Sequence, residues 1–284
     1  MNTSATEQVT AVPAELQYLT PGTTVLRRFT APGASVDTGT YESYPVSIRN
    51  GRPVRDSFSV DTQGFALVQH QSAIADFTDK AEVDAVYIPE VLEFVKQSLG
   101  ADQVAARGAV LRRSAAPAEN ASQPQAAIVH VDYGPESAQQ TAARVYAEHF
   151  PDGPGFSRAV TTSTWRVFSP PPQDWPLALC DFRSIGDDEG VPNELYLVDK
   201  LPDDPFADVD RSKVVTTGSQ FFFNPNHEWW YFPEMTRDEV LFFIFHDSDH
   251  NRPWRVMHGA FRDPGVQTEV PRHSIEVRTF AFFH

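Results

Sequence analysis

The chain has 284 residues, 41% of them hydrophobic and 12% aromatic, and its 21 Phe, 8 Tyr and 5 Trp need a dry interior, which excludes collagen-like, coiled-coil and fully disordered architectures. Lys plus Arg total 23 against 38 Asp plus Glu, a formal charge of -15; that field repels polyanions and no basic patch offsets it, so nucleic acid and acidic membrane surfaces are not expected partners. The single cysteine, Cys180, excludes an internal disulfide and a Cys-rich zinc site, the first ten residues carry neither a basic side chain nor an apolar run, and the longest apolar run, 240–245, is far short of a membrane span, giving the expectation of a cytoplasmic protein with no secretory leader and no membrane partner.

Residues 1–20 are polar and lack periodic apolar positions, so they read as a flexible N-terminal arm, with 21–284 as one domain. Short apolar runs at 24–29, 44–48, 58–60 and 65–68 alternate with Gly, Pro, Asn and Asp, the rhythm of strands and turns. From 79 to 99 the period changes: Val83, Val86, Tyr87, Val91, Leu92, Val95 and Leu99 fall at helical spacing around Pro89, predicting one kinked helix or two short ones. A loop rich in Ala, Pro, Ser and Asn is predicted over 115–125, then a buried strand over 126–131. A helix follows over 136–150, with Ala142, Val145, Tyr146 and His149 on one side. In the second half, strands are expected at 163–168, 194–198, 220–224, 241–245, 255–261 and 274–283, and loops at 169–175 and 203–210. Many short strands with two or three helices predict a mainly β, double-sheet fold with added helices.

Of the nine histidines, only His130 precedes a carboxylate by two positions, in Ile128-Val129-His130-Val131-Asp132. Side chains two apart on a strand share a face, so His130 and Asp132 can present an imidazole and a carboxylate to one ion. Two His and one carboxylate on one face of iron(II) leave three coordination positions open. The second histidine is assigned to His258, in the apolar segment Val256-Met257-His258-Gly259-Ala260-Phe261, with His246 and His250 as alternatives and His227 as a packing residue. Arg272 and Ser274 are again two apart. An arginine fork beside a hydroxyl suits the distal carboxylate of 2-oxoglutarate, although Arg272 could instead pair structurally with Glu276 or Asp263. Arg166, next to Trp165, reads either as a second carboxylate contact or as part of a buried ion pair.

Longer blocks surround these residues: Asn224-Pro225-Asn226-His227-Glu228-Trp229-Trp230-Tyr231-Phe232-Pro233, His258-Gly259-Ala260-Phe261 with Asp263-Pro264, Pro271-Arg272-His273-Ser274-Ile275-Glu276-Val277-Arg278, Thr164-Trp165-Arg166 and Trp175-Pro176-Leu177. Together they resemble the iron(II)/2-oxoglutarate-dependent oxygenases and, among them, a family of small hydroxylase/desaturase proteins of bacterial and fungal secondary metabolism. The resemblance implies a double-stranded β-helix (jelly roll, cupin-like), with His130, Asp132 and His258 as metal ligands and no further catalytic residue. It also implies Arg272, Ser274 and Arg166 as cosubstrate contacts, with Fe(II), 2-oxoglutarate and dioxygen as cofactor and cosubstrates. The implied reaction oxidises a C–H bond of a small natural product by hydroxylation, desaturation or cyclisation. A homodimer stays open. Where the family more often has other residues this chain has Val167, Gly259 and His273; Gly259 is expected to widen the cavity beside the metal and His273 to point away from Arg272 and Ser274. The rival reading is a jelly-roll metal-binding accessory protein or isomerase without 2-oxoglutarate turnover.

Overall fold

The computed structural model describes residues 9–114, 125–268 and 270–284. The chain runs through strands β1 (Ala11–Leu19), β2 (Arg27–Ala31), β3 (Ala34–Asp37), β4 (Tyr41–Asn50) and β5 (Phe65–Gln69). Helices α1 (Lys80–Glu82) and α2 (Ile88–Leu99) come next, joined by one turn of π-helix, Val83–Tyr87. Then come β6 (Gln103–Arg113), β7 (His130–Val131), helix α3 (Pro135–His149), β8 (Arg158–Val167), β9 (Leu177–Cys180), β10 (Val191–Leu197) and β11 (Thr216–Gln220). The last strands are β12 (Trp229–Tyr231), β13 (Glu239–Asp247), β14 (His258–Ala260) and β15 (His273–Phe283). Ten strands form one sheet in the order β1-β4-β12-β9-β14-β7-β11-β10-β2-β3, and five form a second in the order β5-β13-β8-β15-β6. The double-sheet expectation holds, and chain-distant strands are neighbours in both sheets.

Alternation sorts the large sheet into two faces. Val129, Val131, Ala178, Cys180, Met257 and Phe261 belong to one hydrophobic cluster, while Leu177 and Leu179 join the larger core shared with the small sheet. On β7 and β14 the residues between the first set are His130 and His258, so the same period that buries Val131 and Met257 turns both imidazoles toward the small sheet. Helix α2 covers the small sheet's other side, packing on β6 and β15, whereas α3 touches β11 of the large sheet as well as β6, β8 and β15.

Several local expectations are corrected. Residues 11–19 are not part of an arm: they form β1, paired along its whole length with β4, and Leu16, Tyr18 and Leu19 are buried. It is an edge strand whose first half is solvated; its alternate residues Val12, Ala14, Leu16 and Tyr18 are apolar and face one cluster, a strand period that Pro13 and the polar residues before it obscure, and residues 1–8 lie outside the described ones. Residues 58–60 form no strand but follow a 3-10 turn, Arg52–Ser57. Helical structure around Pro89 is continuous, because the π-turn ahead of α2 leaves Pro89 in its first turn, where no backbone donor is required. Gly100, at φ 65, then closes α2 in the left-handed conformation. In α3 Ala142, Val145 and Tyr146 are buried as expected, but His149 is exposed. The strands expected at 126–131 and 255–261 shrink to His130–Val131 and His258–Ala260, and the loop expected over 115–125 lies almost wholly outside the described residues.

Candidate metal and cosubstrate site

The site is built where β7 and β14 meet. His258 pairs directly with His130 in the antiparallel register, and β9 holds the other edge of β14 through Leu179, Ala178 and Leu177. Directly paired residues project on one face, so the two imidazoles stand side by side with ring centroids 4.3 Å apart. Asp132 shares the face by strand alternation, its Oδ1 lying 3.6 Å from His130 Nε2. One ligand atom from each of His130, Asp132 and His258 lies within 4.8 Å of the others, and among the described residues no other group of three such side chains converges in this way.

The ring tautomers are set by the backbone. His130 Nδ1 lies 2.7 Å from the Ile128 carbonyl and His258 Nδ1 lies 3.1 Å from the Val256 carbonyl. A carbonyl only accepts, so each Nδ1 carries a proton, which leaves Nε2 as the ring nitrogen placed to serve as a ligand. Burial holds His258 neutral, its pKa falling to about 3, with His130 adding to the depression and Asp132 opposing it. At Asp132 burial works against the charge, but Arg278, then His130 and His258, keep the carboxyl well below the usual range. Two imidazoles and an anionic oxygen, tightly grouped and partly dehydrated, are a fitting donor set for a divalent ion of the iron type.

Beside the ligands lies a narrow inner cavity of about 20 Å³, lined by Trp165, Phe243 and Glu276 of the small sheet together with Arg272. It meets an outer cavity of about 640 Å³ at Arg112, Ala126, His130 and Asp132, and the outer one opens between β10, β11 and Arg278. Arg272 is 1% exposed. Its backbone N–H donates to Asp174 Oδ1 at 3.0 Å and to Ser114 Oγ at 2.8 Å, and its Nη1 donates to the Trp175 carbonyl at 2.8 Å. The alternative, a pairing of Arg272 with Glu276 or Asp263, is not found among the described contacts. Arg272 Nε and Nη2, and the Ser274 hydroxyl, are buried with no hydrogen-bond partner among the described residues. Burial, then Arg112, lowers the guanidinium pKa to about 10 against the opposing effect of Asp174; the cation persists at neutral pH. A buried cation with two unused donors, in one cavity with the ligand triad and two positions from an unused buried hydroxyl, fits a carboxylate from outside the chain.

Arg166 does not belong to this cavity. Trp165 faces it, so strand alternation sends Arg166 through the sheet to the helical side. There its Nε donates to the Tyr87 hydroxyl at 3.1 Å, Nη1 to the Arg237 carbonyl, and Nη2 to His70 Nδ1. It is fully buried, absent from the cavity lining, and pairs with no carboxylate among the described residues. Gly259 likewise faces away from the ligands: a Cβ there would meet the Ala127 and Ile128 carbonyls at 3.5 and 3.6 Å, so the residue lines neither cavity. His246 and His250 pair with each other, Nε2 to Nε2 at 3.3 Å, outside the triad, and His227 packs on Tyr18. His273 contacts Phe168 and is absent from the cavity lining, as its strand position predicts. The sequence reading gave Trp165 and Phe243 no role in the site and assigned none to Glu276 or Arg278. The last two were legible, since Ser274, Glu276 and Arg278 are successive alternate residues of β15 and Arg272, just before the strand, continues the same spacing.

Comparison with known proteins adds the family. The family model described as "Oxidoreductase/YMDC permease-like domain" matches residues 16–282. The Fe(II)/2-oxoglutarate-dependent dioxygenase nvfI of Aspergillus novofumigatus is 30% identical, covering 88% of this chain and 87% of its own. The hydroxylase/desaturase CTB9 of Cercospora beticola is 30% identical over 86% of this chain and 78% of its own. A solved structure of the iron and alpha-ketoglutarate-dependent endoperoxidase NvfI superposes with a TM-score of 0.79 at 27% identity, covering 96% of this chain and 98% of that one. The two facing sheets are those of a jelly roll.

Proposed function

This chain belongs to the oxidoreductase/YMDC permease-like domain family and, within it, to the Fe(II)/2-oxoglutarate-dependent dioxygenases of secondary metabolism, and from that premise we propose how its residues divide the work. His130, Asp132 and His258 hold the ferrous ion, Arg272 and Ser274 hold the far carboxylate of 2-oxoglutarate, and the outer cavity receives a small natural-product substrate. Iron held there would supply the oxidising chemistry for a substrate C–H bond, with dioxygen as oxidant and 2-oxoglutarate as the co-reductant converted to succinate and carbon dioxide.

The protein's residues do the rest. The carbonyls of Ile128 and Val256 keep both Nε2 lone pairs turned inward. Asp174 and the Trp175 carbonyl fix Arg272 from behind, so the guanidinium keeps Nε and Nη2 for the cosubstrate. Phe243 and Phe245, with ring centroids 5.0 and 5.5 Å from that of His258, keep water from that ligand's flank. The inner cavity stands nearly closed, so a five-carbon diacid must displace its lining side chains on entry, whereas the outer cavity has room for substrate. The names of the relatives span hydroxylation, desaturation and endoperoxide formation; the outer cavity's shape selects among such outcomes by which substrate atom it sets nearest the metal.

One observation carries this reading: the unpartnered donors of Arg272 share a cavity with the converged His130, Asp132 and His258, and the unpartnered Ser274 hydroxyl lies two positions further along the chain. Protein loaded with Fe(II) and 2-oxoglutarate should release succinate when oxygen is admitted, and Arg272→Ala should do so only at much higher 2-oxoglutarate. Wild-type protein that binds iron yet releases no succinate would remove the oxygenase reading.

A further inference from the structure

The two oxygens of Asp132 have different neighbours. Oδ1 lies 3.6 Å from His130 Nε2, on the side of the imidazoles, whereas Oδ2 lies 3.1 Å from Arg278 Nη2. Arg278 is braced in turn: the same Nη2 is 3.4 Å from Glu276 Oε2, Glu276 Oε1 accepts from the Ser163 hydroxyl at 2.9 Å, and Phe245 lies under the guanidinium at 5.7 Å. Arg278 thus stands at the end of a chain of contacts running from β8 through β15 to the carboxylate on the loop after β7.

The backbone is adapted at the same point. On the β8 side Arg278 keeps an unbroken register with Ser163, but against β6 the register skips between Val277, paired with Ala109, and Thr279, paired with Ala106. Arg107 and Gly108 therefore both oppose Arg278, with Gly108 at φ 78. A bulge of this kind bends the strand and re-aims the side chain beside it.

We propose that Arg278 is a positioning residue that occupies Asp132 Oδ2 and so restricts the carboxylate to one-oxygen ligation of the metal through Oδ1. A carboxylate free to turn can ligate with both oxygens and take a position needed by cosubstrate or dioxygen, or swing out and weaken the site; a cation on the outer oxygen prevents both. The inference rests on the metal-site reading above and adds a residue to it.

The test uses Mn(II) affinity, measured by calorimetry, and the visible spectrum of the Co(II)-loaded protein, which reports coordination geometry without turnover. Arg278→Gln should weaken Mn(II) binding about tenfold to a hundredfold and change the shape of the Co(II) bands, with an unchanged far-ultraviolet circular dichroism spectrum. Arg278→Lys, which keeps the charge but loses the planar fork, should recover part of the affinity and of the spectrum. If Arg278→Gln does not fold, Arg278→Lys alone decides by the same two readouts. Affinity within twofold of wild type together with an unaltered Co(II) spectrum in the folded variant overturns the proposal. Wild-type protein that binds neither Mn(II) nor Co(II) would instead overturn the metal site on which it rests.

Discussion

His258 lies directly opposite His130 across the β14–β7 rung, and the two rings are 4.3 Å apart although more than a hundred residues separate them in the chain. A single antiparallel pairing therefore makes the site bidentate in histidine, with Asp132 added by alternation along the chain from His130. His258→Ala should lower Mn(II) affinity by about a hundredfold or more, while His250→Ala, which removes contacts to His246 and Trp254 outside the triad, should leave it unchanged. Calorimetry on both variants checks this.

At Arg272 the grip on cosubstrate separates from stability. Removing one partner of a buried charge-assisted contact costs about 2–5 kcal/mol, so Arg272→Met should weaken 2-oxoglutarate binding to the metal-loaded protein by roughly thirtyfold or more. Ser274→Ala should cost about 0.5–1.5 kcal/mol. The same Arg272→Met change removes a buried cation whose Nε and Nη2 have no partner in the described chain, so the ligand-free protein should melt no lower than wild type. Thermal scans with and without 2-oxoglutarate read both effects.

Arg166 should behave in the opposite way. Replacing it with Ala leaves the Tyr87 hydroxyl, the Arg237 carbonyl and His70 Nδ1 without their donor, each orphaned buried group costing about 1–3 kcal/mol. The melting temperature should fall clearly, while the 2-oxoglutarate affinity of the remaining folded protein stays at the wild-type value.

His246 gives a pH dependence with a defined sign. Burial, then His250, lowers its pKa from 6.5 to about 4. Between those values the unfolded chain binds a proton that the native one refuses, so stability rises with pH across the window. The contribution, about 3 kcal/mol at full extent, is present above pH 6.5 and lost as pH falls toward 4. His258, held at about 3, and His70 and His273, both lowered, act in the same direction. His246→Gln should therefore reduce, but not abolish, the slope of unfolding free energy against pH from 6.5 to 4, measured by urea denaturation.

Much of this was readable from sequence because strand periodicity is short-ranged. His130 with Asp132, and Arg272 with Ser274, are pairs whose shared face follows from spacing alone, and α3 followed from its apolar stripe. What spacing cannot reveal is which strands become neighbours. The pairing of β7 with β14 is a non-local choice, and both strands are only two or three residues long, too short for a periodic signal of their own. Arg166 shows the same limit from the other side: its place beside Trp165 was plain, but which face of β8 looked into the cavity depended on the packing of the two sheets. Edge strands were hardest. β1 is solvated along its first half, and β6 carries Arg107, Arg112 and Arg113, charges that protect a sheet edge and disguise a strand.

The account turns on one ferrous ion shared by His130, Asp132 and His258 with 2-oxoglutarate bound beside it. Anaerobic titration of the Fe(II)-loaded protein with 2-oxoglutarate, followed in the visible region, measures this most directly. A weak charge-transfer band should grow to saturation at one equivalent of iron per chain and be lost in His258→Ala. A flat spectrum in wild-type protein that has taken up iron, or a band of full intensity in the His258 variant, would contradict it.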